Sequence, residues 1–195
     1  MKERVIWGGI AAAIFLPFLI IGSLPFQLFV GVLAMIGVSE LLKMRRLEIF
    51  SFEGVFAMLA AFVLTVPMDH YLTSLPIDAS FAGYGIIVFF LLAGTVLNSS
   101  AYSFEDATFP IAASFYVGIG FQNLVNARLS GIDKVLLALF IVWATDIGAY
   151  MIGRQFGKRK LLPRISPNKT IEGSLGGIAC AVLTCLLYTS PSPRD

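Results

Sequence analysis

Seven runs of apolar residues recur along this chain, at 5–21, 26–42, 54–68, 81–97, 109–125, 135–153 and 171–188. Each approaches the roughly 17 to 25 residues that a helix needs to cross a hydrocarbon core. Strand-like alternation is absent, which disfavours a barrel. With 57% hydrophobic residues, 13% charged residues and a mean hydropathy of +0.85, the expected fold is an all-α, polytopic integral membrane protein of about seven transmembrane helices.

The first run follows Met1-Lys2-Glu3-Arg4 and resembles a signal peptide in length. No small-residue cleavage site follows it, and Gly22-Ser23-Leu24-Pro25 turns directly into the next run, so a retained anchor is expected. Cys180 and Cys185 both lie in the last run and read as packing residues.

Orientation follows from the basic residues in alternate connections. With a cytoplasmic N-terminus, that side receives Lys2, Arg4, Lys43, Arg45, Arg46, Arg154, Lys158, Arg159, Lys160, Arg164 and Lys169, eleven in all, against two, Arg128 and Lys134, opposite. The N-terminus and the loop at 154–170 are therefore expected to face the cytosol. The formal net charge of +2 adds no nucleic-acid reading once orientation has accounted for the basic residues. No repeat or soluble domain interrupts the chain.

The loop at 154–170 carries most of the chemistry. Asp146 precedes it inside the sixth run, and an ionisable group at that depth costs about 2.5 to 3.5 kcal/mol at mid-bilayer. On a helix, Asp146, Tyr150 and Gly153 share a face and can line a cavity open to the cytosol. The alternatives for Asp146 are a structural carboxylate paired with Arg154 and a ligand for a divalent metal, although one Asp alone makes a weak metal site.

Beyond it, Arg154, Lys158, Arg159, Lys160 and Arg164 set topology and attract anionic lipid. Ser166-Pro167-Asn168-Lys169-Thr170-Ile171-Glu172-Gly173 then combines a turn, hydroxyls and a mobile cation, a clamp for phosphate at a helix N-terminus. The same residues make an ordinary helix start, with Asn168 or Thr170 as N-cap and Glu172 in the first turn. Gly173 and Gly177 form a small-xxx-small pair suited to close helix packing.

Three stretches carry a family resemblance: Thr145-Asp146-Ile147-Gly148-Ala149-Tyr150, Gly153-Arg154-Gln155-Phe156-Gly157-Lys158 and Ser166 through Gly173. Their order and spacing resemble phosphatidate cytidylyltransferase, also called CDP-diacylglycerol synthase. The resemblance implies a reaction of CTP with phosphatidic acid, giving CDP-diacylglycerol and pyrophosphate with Mg2+ at the cytoplasmic membrane surface. It places Ser166, Asn168, Lys169, Thr170 and Glu172 in a substrate-binding motif, with Arg154 and Lys158 adding charge. Lys169 and Asp146 are the implied catalytic candidates, and Asp146 or Glu172 the candidate metal partners.

The family's signature nearer the C-terminus, with a Lys-Arg pair, a Lys-Asp pair, a His-Gly-Gly element and closely spaced metal-binding aspartates, has no counterpart here. His70, the sole histidine, sits beside Asp69 in an expected external loop, and after Thr170 the carboxylates are Glu172 and Asp195. Residues 1–188 thus read as a cytidylyltransferase membrane domain incomplete at its C-terminus, and 189–195 as a non-native or disordered tail. Little or no turnover is expected of these residues alone.

Two other readings stand beside this one: a CTP-dependent polyprenol or dolichol kinase-like enzyme, and a non-catalytic membrane protein or transporter whose basic loop only sets topology. Expected partners are CTP, phosphatidic acid and membrane lipids, in a bacterial inner membrane. Helices this rich in small residues can also pack into a homodimer.

Overall fold

The computed structural model describes residues 2–68, 78–97, 100 and 102–189, with side chains from residue 6 onward. The expectations for Asp69 and His70 and for the tail after Thr189 fall outside the described residues. All seven apolar runs fall on helices: α1 (Lys2–Ile21), α2 (Ser23–Met44), α3 (Phe52–Thr65), α4 (Ala79–Leu97), α5 (Phe104–Ser130), α6 (Ile132–Phe156) and α7 (Ile171–Thr189). Among the described residues, α2, α4, α6 and α7 are each long and apolar enough to cross a membrane. The chain is an integral membrane protein.

The all-α expectation holds, with one short addition. The basic loop folds as an antiparallel hairpin, β1 (Lys160–Leu162) and β2 (Ser166–Thr170), with Lys160 opposite Thr170 and Leu162 opposite Ser166. Pro167 lacks an N–H yet is tolerated there, because a two-stranded ribbon has only edge strands.

The chain divides into two compact units, 1–132 and 133–195. In the first, α3 is the central helix and packs against α2, α4 and α5. Ala57, Ala60, Ala61 and Leu64 of α3 are fully buried, against Ala34, Val38 and Leu42 of α2 and Val117 of α5 on one side and Tyr84 of α4 on another. Small residues on α3 let three neighbours approach it, the arrangement that replaces hydrophobic driving force where lipid is the solvent. At 14 residues, α3 is about 21 Å long, shorter than the roughly 30 Å hydrocarbon core. Its C-terminal end is closed by Ser80, whose hydroxyl donates to the Val66 carbonyl at 2.8 Å and accepts from the Met68 N–H at 2.9 Å.

Arg128, near the end of α5, closes α1. Its guanidinium donates to the carbonyls of Leu19 at 2.6 Å and Ile20 at 3.1 Å, which lack partners within a helix that is ending. The turn into α2 needs Gly22, with φ of 66°, and any Cβ there would strike the same guanidinium. Arg128 and the α1–α2 turn therefore share one end of this unit, as the alternating topology requires.

In the second unit, α6 and α7 lie against each other through Gly148, Gly173, Gly176 and Gly177. A Cβ on Gly177 would lie 2.9 Å from the Thr145 carbonyl oxygen, and one on Gly173 2.8 Å from that of Ala149. The small-xxx-small pair is thus a packing seam. Cys180, half-buried with a free thiol, abuts Gly148 in the same seam, as its packing role predicts. At the far end, the Tyr188 hydroxyl donates to Asp133 at 3.2 Å.

Candidate functional site

The hairpin hands the chain to α7 at Thr170. This residue is buried, and its hydroxyl oxygen accepts the Gly173 N–H at 3.2 Å, which makes Thr170 the N-cap rather than Asn168. Its carbonyl accepts the Ser174 hydroxyl at 3.2 Å. The Ile171 N–H donates to the Arg159 carbonyl at 3.0 Å, stitching the hairpin to the helix start.

Glu172 reaches back from the first turn of α7 to the loop. Its carboxylate accepts the Lys158 N–H at 3.1 Å and the Arg159 N–H at 3.2 and 3.3 Å to its two oxygens. The basic loop is thereby held by its backbone, while the Lys158, Arg159 and Lys160 side chains stay exposed.

The result is a cavity of about 330 Å³ between the end of α6 and the start of α7, lined by Tyr150, Arg154, Asn168, Lys169, Thr170 and Ser174. Gly153 and Gly173 form its floor, where the two backbones run so close that a Cβ on Gly153 would lie 3.0 Å from the Thr170 hydroxyl. Two cations and several hydroxyl and amide groups converge here, and no carboxylate is among the lining residues. The positive end of the α7 dipole adds to them. The arrangement can attract anionic groups.

Four of the residues singled out from the sequence, Arg154, Asn168, Lys169 and Thr170, meet in this cavity. Ser166, at the hairpin's far register position, and Lys158 do not line it. Asp146 shares a helix with Tyr150 and Gly153, but it is exposed, outside the lining, and in no ion pair among the described residues. Ser174 escaped sequence reading, although its place four residues after the N-cap puts it on the Thr170 side of the helix.

These residues do not build a Mg2+ site. Both oxygens of Glu172 are engaged by backbone N–H groups, and among the described residues no three His, Cys, Asp or Glu side chains gather to hold a metal. A hard divalent cation needs more oxygen ligands than Asp146 alone supplies.

The chain matches the cytidylyltransferase family over residues 2–194. It is 40% identical over 185 residues to the phosphatidate cytidylyltransferase of Staphylococcus haemolyticus, covering 94% of this chain and 70% of that protein. To the phosphatidate cytidylyltransferase of Staphylococcus epidermidis it is 41% identical over 189 residues, 96% of this chain and 71% of the relative. To that of Staphylococcus aureus it is 37% identical over 188 residues, 95% and 71%. No solved structure matches the chain. A membrane protein with a cationic cavity at a hairpin–helix junction is the class that fold and site define. The chain belongs to the cytidylyltransferase family, and its enzyme class is nucleotidyltransferase.

Proposed function

We propose that the chain serves the conversion of CTP and phosphatidic acid to CDP-diacylglycerol and diphosphate, on the cytoplasmic face of a bacterial inner membrane. The observation that carries this reading is the convergence of Arg154 and Lys169 with Asn168, Thr170 and Ser174 on one carboxylate-free cavity at the start of α7. A phosphatidate oxygen attacks the α-phosphorus of CTP, the bond from that phosphorus to the bridging oxygen breaks, and diphosphate leaves with that oxygen. Such chemistry asks the protein mainly for positioning and charge neutralisation.

Lys169, a mobile point charge on β2, is placed to follow negative charge onto the departing diphosphate. Arg154 offers a planar fork for two phosphate oxygens. The Thr170 oxygen is committed as an acceptor to Gly173, so its proton is free to be donated into the cavity. The cavity is at the small end of the roughly 300 to 1,000 Å³ typical of ligand sites, which suits phosphate groups rather than a whole nucleotide and lipid. The Mg2+ implied for this reaction has no ligand set among the described residues, and none of these roles passes through it.

Binding of CTP to the purified chain, in micelles carrying phosphatidic acid or a polyprenol, tests the reading. Tighter CTP binding with phosphatidic acid, competed by diphosphate, is expected. Equal binding in the two micelles would overturn phosphatidate as the acceptor, and no CTP binding in either would favour a protein whose basic loop only sets topology. Any label reaching lipid should come from the α-phosphate of CTP, whereas a kinase would transfer the γ-phosphate.

A further inference from the structure

A second cavity, of about 630 Å³, opens in the first unit among the start of α3, the end of α4 and the start of α5, and the proposed reaction does not use it. Its walls change character from one end to the other. Phe90, Ala93, Gly94 and Leu97 of α4 form an apolar side, and Phe90 (51% exposed) and Leu97 (87% exposed) continue it to the outer surface of a membrane-crossing helix. At the other end stand Glu53, in the first turn of α3, Asp106, in the first turn of α5, and Tyr102.

Polar chemistry at that end is incomplete among the described residues. Neither carboxylate meets a basic side chain in the cavity, since none of the lining residues is Lys, Arg or His. Lys43 bonds Glu40 at 2.6 Å, and the Arg45 guanidinium lies over the Phe109 ring at 5.2 Å. Asp106 is fixed in position, its Oδ2 accepting the N–H and hydroxyl of Ser103 at 2.9 and 2.8 Å. Glu53 accepts no hydrogen bond among the described residues.

Tyr102 is only 8% exposed, and its hydroxyl has no partner among the described residues. Leaving a buried hydroxyl without a partner is unfavourable, so a ligand atom that accepts its proton is called for. Burial, with Glu53 and Asp106 nearby, pushes the phenol's pKa up to about 12, which keeps it a donor at all physiological pH. Aromatic faces complete the enclosure: the Phe52 and Tyr102 rings meet edge to face at 6.1 Å, and Phe56 links Phe52 to Phe90.

We propose that this cavity binds a membrane phospholipid whose head group carries an ammonium ion. The ammonium sits between the Glu53 and Asp106 carboxylates and against the aromatic faces, which attract cations through their quadrupoles. The Tyr102 hydroxyl donates to a phosphate or ester oxygen of the same lipid. An acyl chain follows Phe90, Ala93 and Leu97 along α4 into the bilayer, which distinguishes a lipid from a soluble amine. The proposal does not rest on the reaction assigned to the Lys169 cavity, and its test involves no nucleotide.

The test is native mass spectrometry of the full chain, exchanged in detergent with equal amounts of phosphatidylethanolamine and phosphatidylglycerol of identical acyl chains. Retention of the amine lipid by about fivefold or more, the discrimination that a desolvated cation–π contact provides, is expected for the unaltered chain. Glu53→Gln combined with Asp106→Asn should bring the ratio towards one, and Tyr102→Phe, which keeps the ring, should lower it. Should the double variant not fold, Glu53→Gln alone decides. Equal retention of the two lipids, a preference that survives the carboxylate substitutions, or displacement of the lipid by free ethanolamine at equal concentration would overturn the proposal.

Discussion

Glu172 holds Arg159 by its backbone, with both carboxylate oxygens within 3.3 Å of the Arg159 N–H, while the Lys158 N–H shares one of those oxygens. A carboxylate among so many cations would conventionally be read as an ion-pair or metal partner. Here it fixes a loop, and the loop presents the strand that carries Lys169. Side chains carried by a connection rather than a helix need such an anchor if they are to hold a ligand, because a site held loosely loses the geometry that positioning requires.

Loss of that anchor should show first as loop mobility. Glu172→Ala is expected to raise the rate of tryptic cleavage at Lys158, Arg159 and Lys160 severalfold with α6 and α7 still helical by circular dichroism, since only a local opening is made easier. Glu172→Gln, which retains an acceptor oxygen, should fall between. Unchanged cleavage in the alanine variant would remove Glu172 from this role.

The seam between α6 and α7 should tolerate no added methyl at Gly177. A Cβ there meets the Thr145 backbone carbonyl at 2.9 Å and the Ala149 Cβ at 3.2 Å, and backbone cannot yield as a flexible side chain does. Overpacking of this kind costs about 1 to 3 kcal/mol. Gly177→Ala should accordingly lower the thermal midpoint in detergent, whereas alanine at Gly120, with nothing within 4 Å of its Cβ, should leave it unmoved.

Asp106 gives a pH signature. Hydrogen bonds from the Ser103 backbone N–H and then its hydroxyl draw the carboxyl below its ordinary range. The native state therefore favours the ionised form, so the contribution is fully present above the unfolded-state value near about 3.9 and is lost as pH falls through the lower folded-state value. Between pH 5 and pH 3, Asp106→Asn should lose less stability than the unaltered chain, as read by thermal unfolding. Parallel acid profiles for the two would contradict the assignment.

The sequence disclosed the helices better than the connections. Long apolar runs have few solutions in a bilayer, so seven runs became seven helices with bounds displaced by a few residues. The hairpin at 160–170 was hidden because its strands are only three and five residues long and too short to show an alternating pattern. Of the residues singled out for the site, Arg154, Asn168, Lys169 and Thr170 line one cavity. Asp146 was read onto the cavity face by helical periodicity and by the family resemblance, and the cavity is lined one turn beyond it, by Tyr150 and Gly153. The role of Glu172 was legible only as charge near charge, since backbone N–H groups leave no mark in a sequence.

Equilibrium binding of CTP to the purified chain and to its Lys169→Ala variant, in phosphatidic acid micelles, decides whether the cavity at the start of α7 holds the nucleotide. Saturable binding by the unaltered chain is expected, with at least about a tenfold weaker affinity in the variant, the scale of one lost charge-assisted contact to phosphate. Lys169→Arg should restore part of it, because charge returns in a different geometry. Equal affinity in the unaltered chain and the alanine variant would contradict the claim that this cavity is where the nucleotide's phosphates are held.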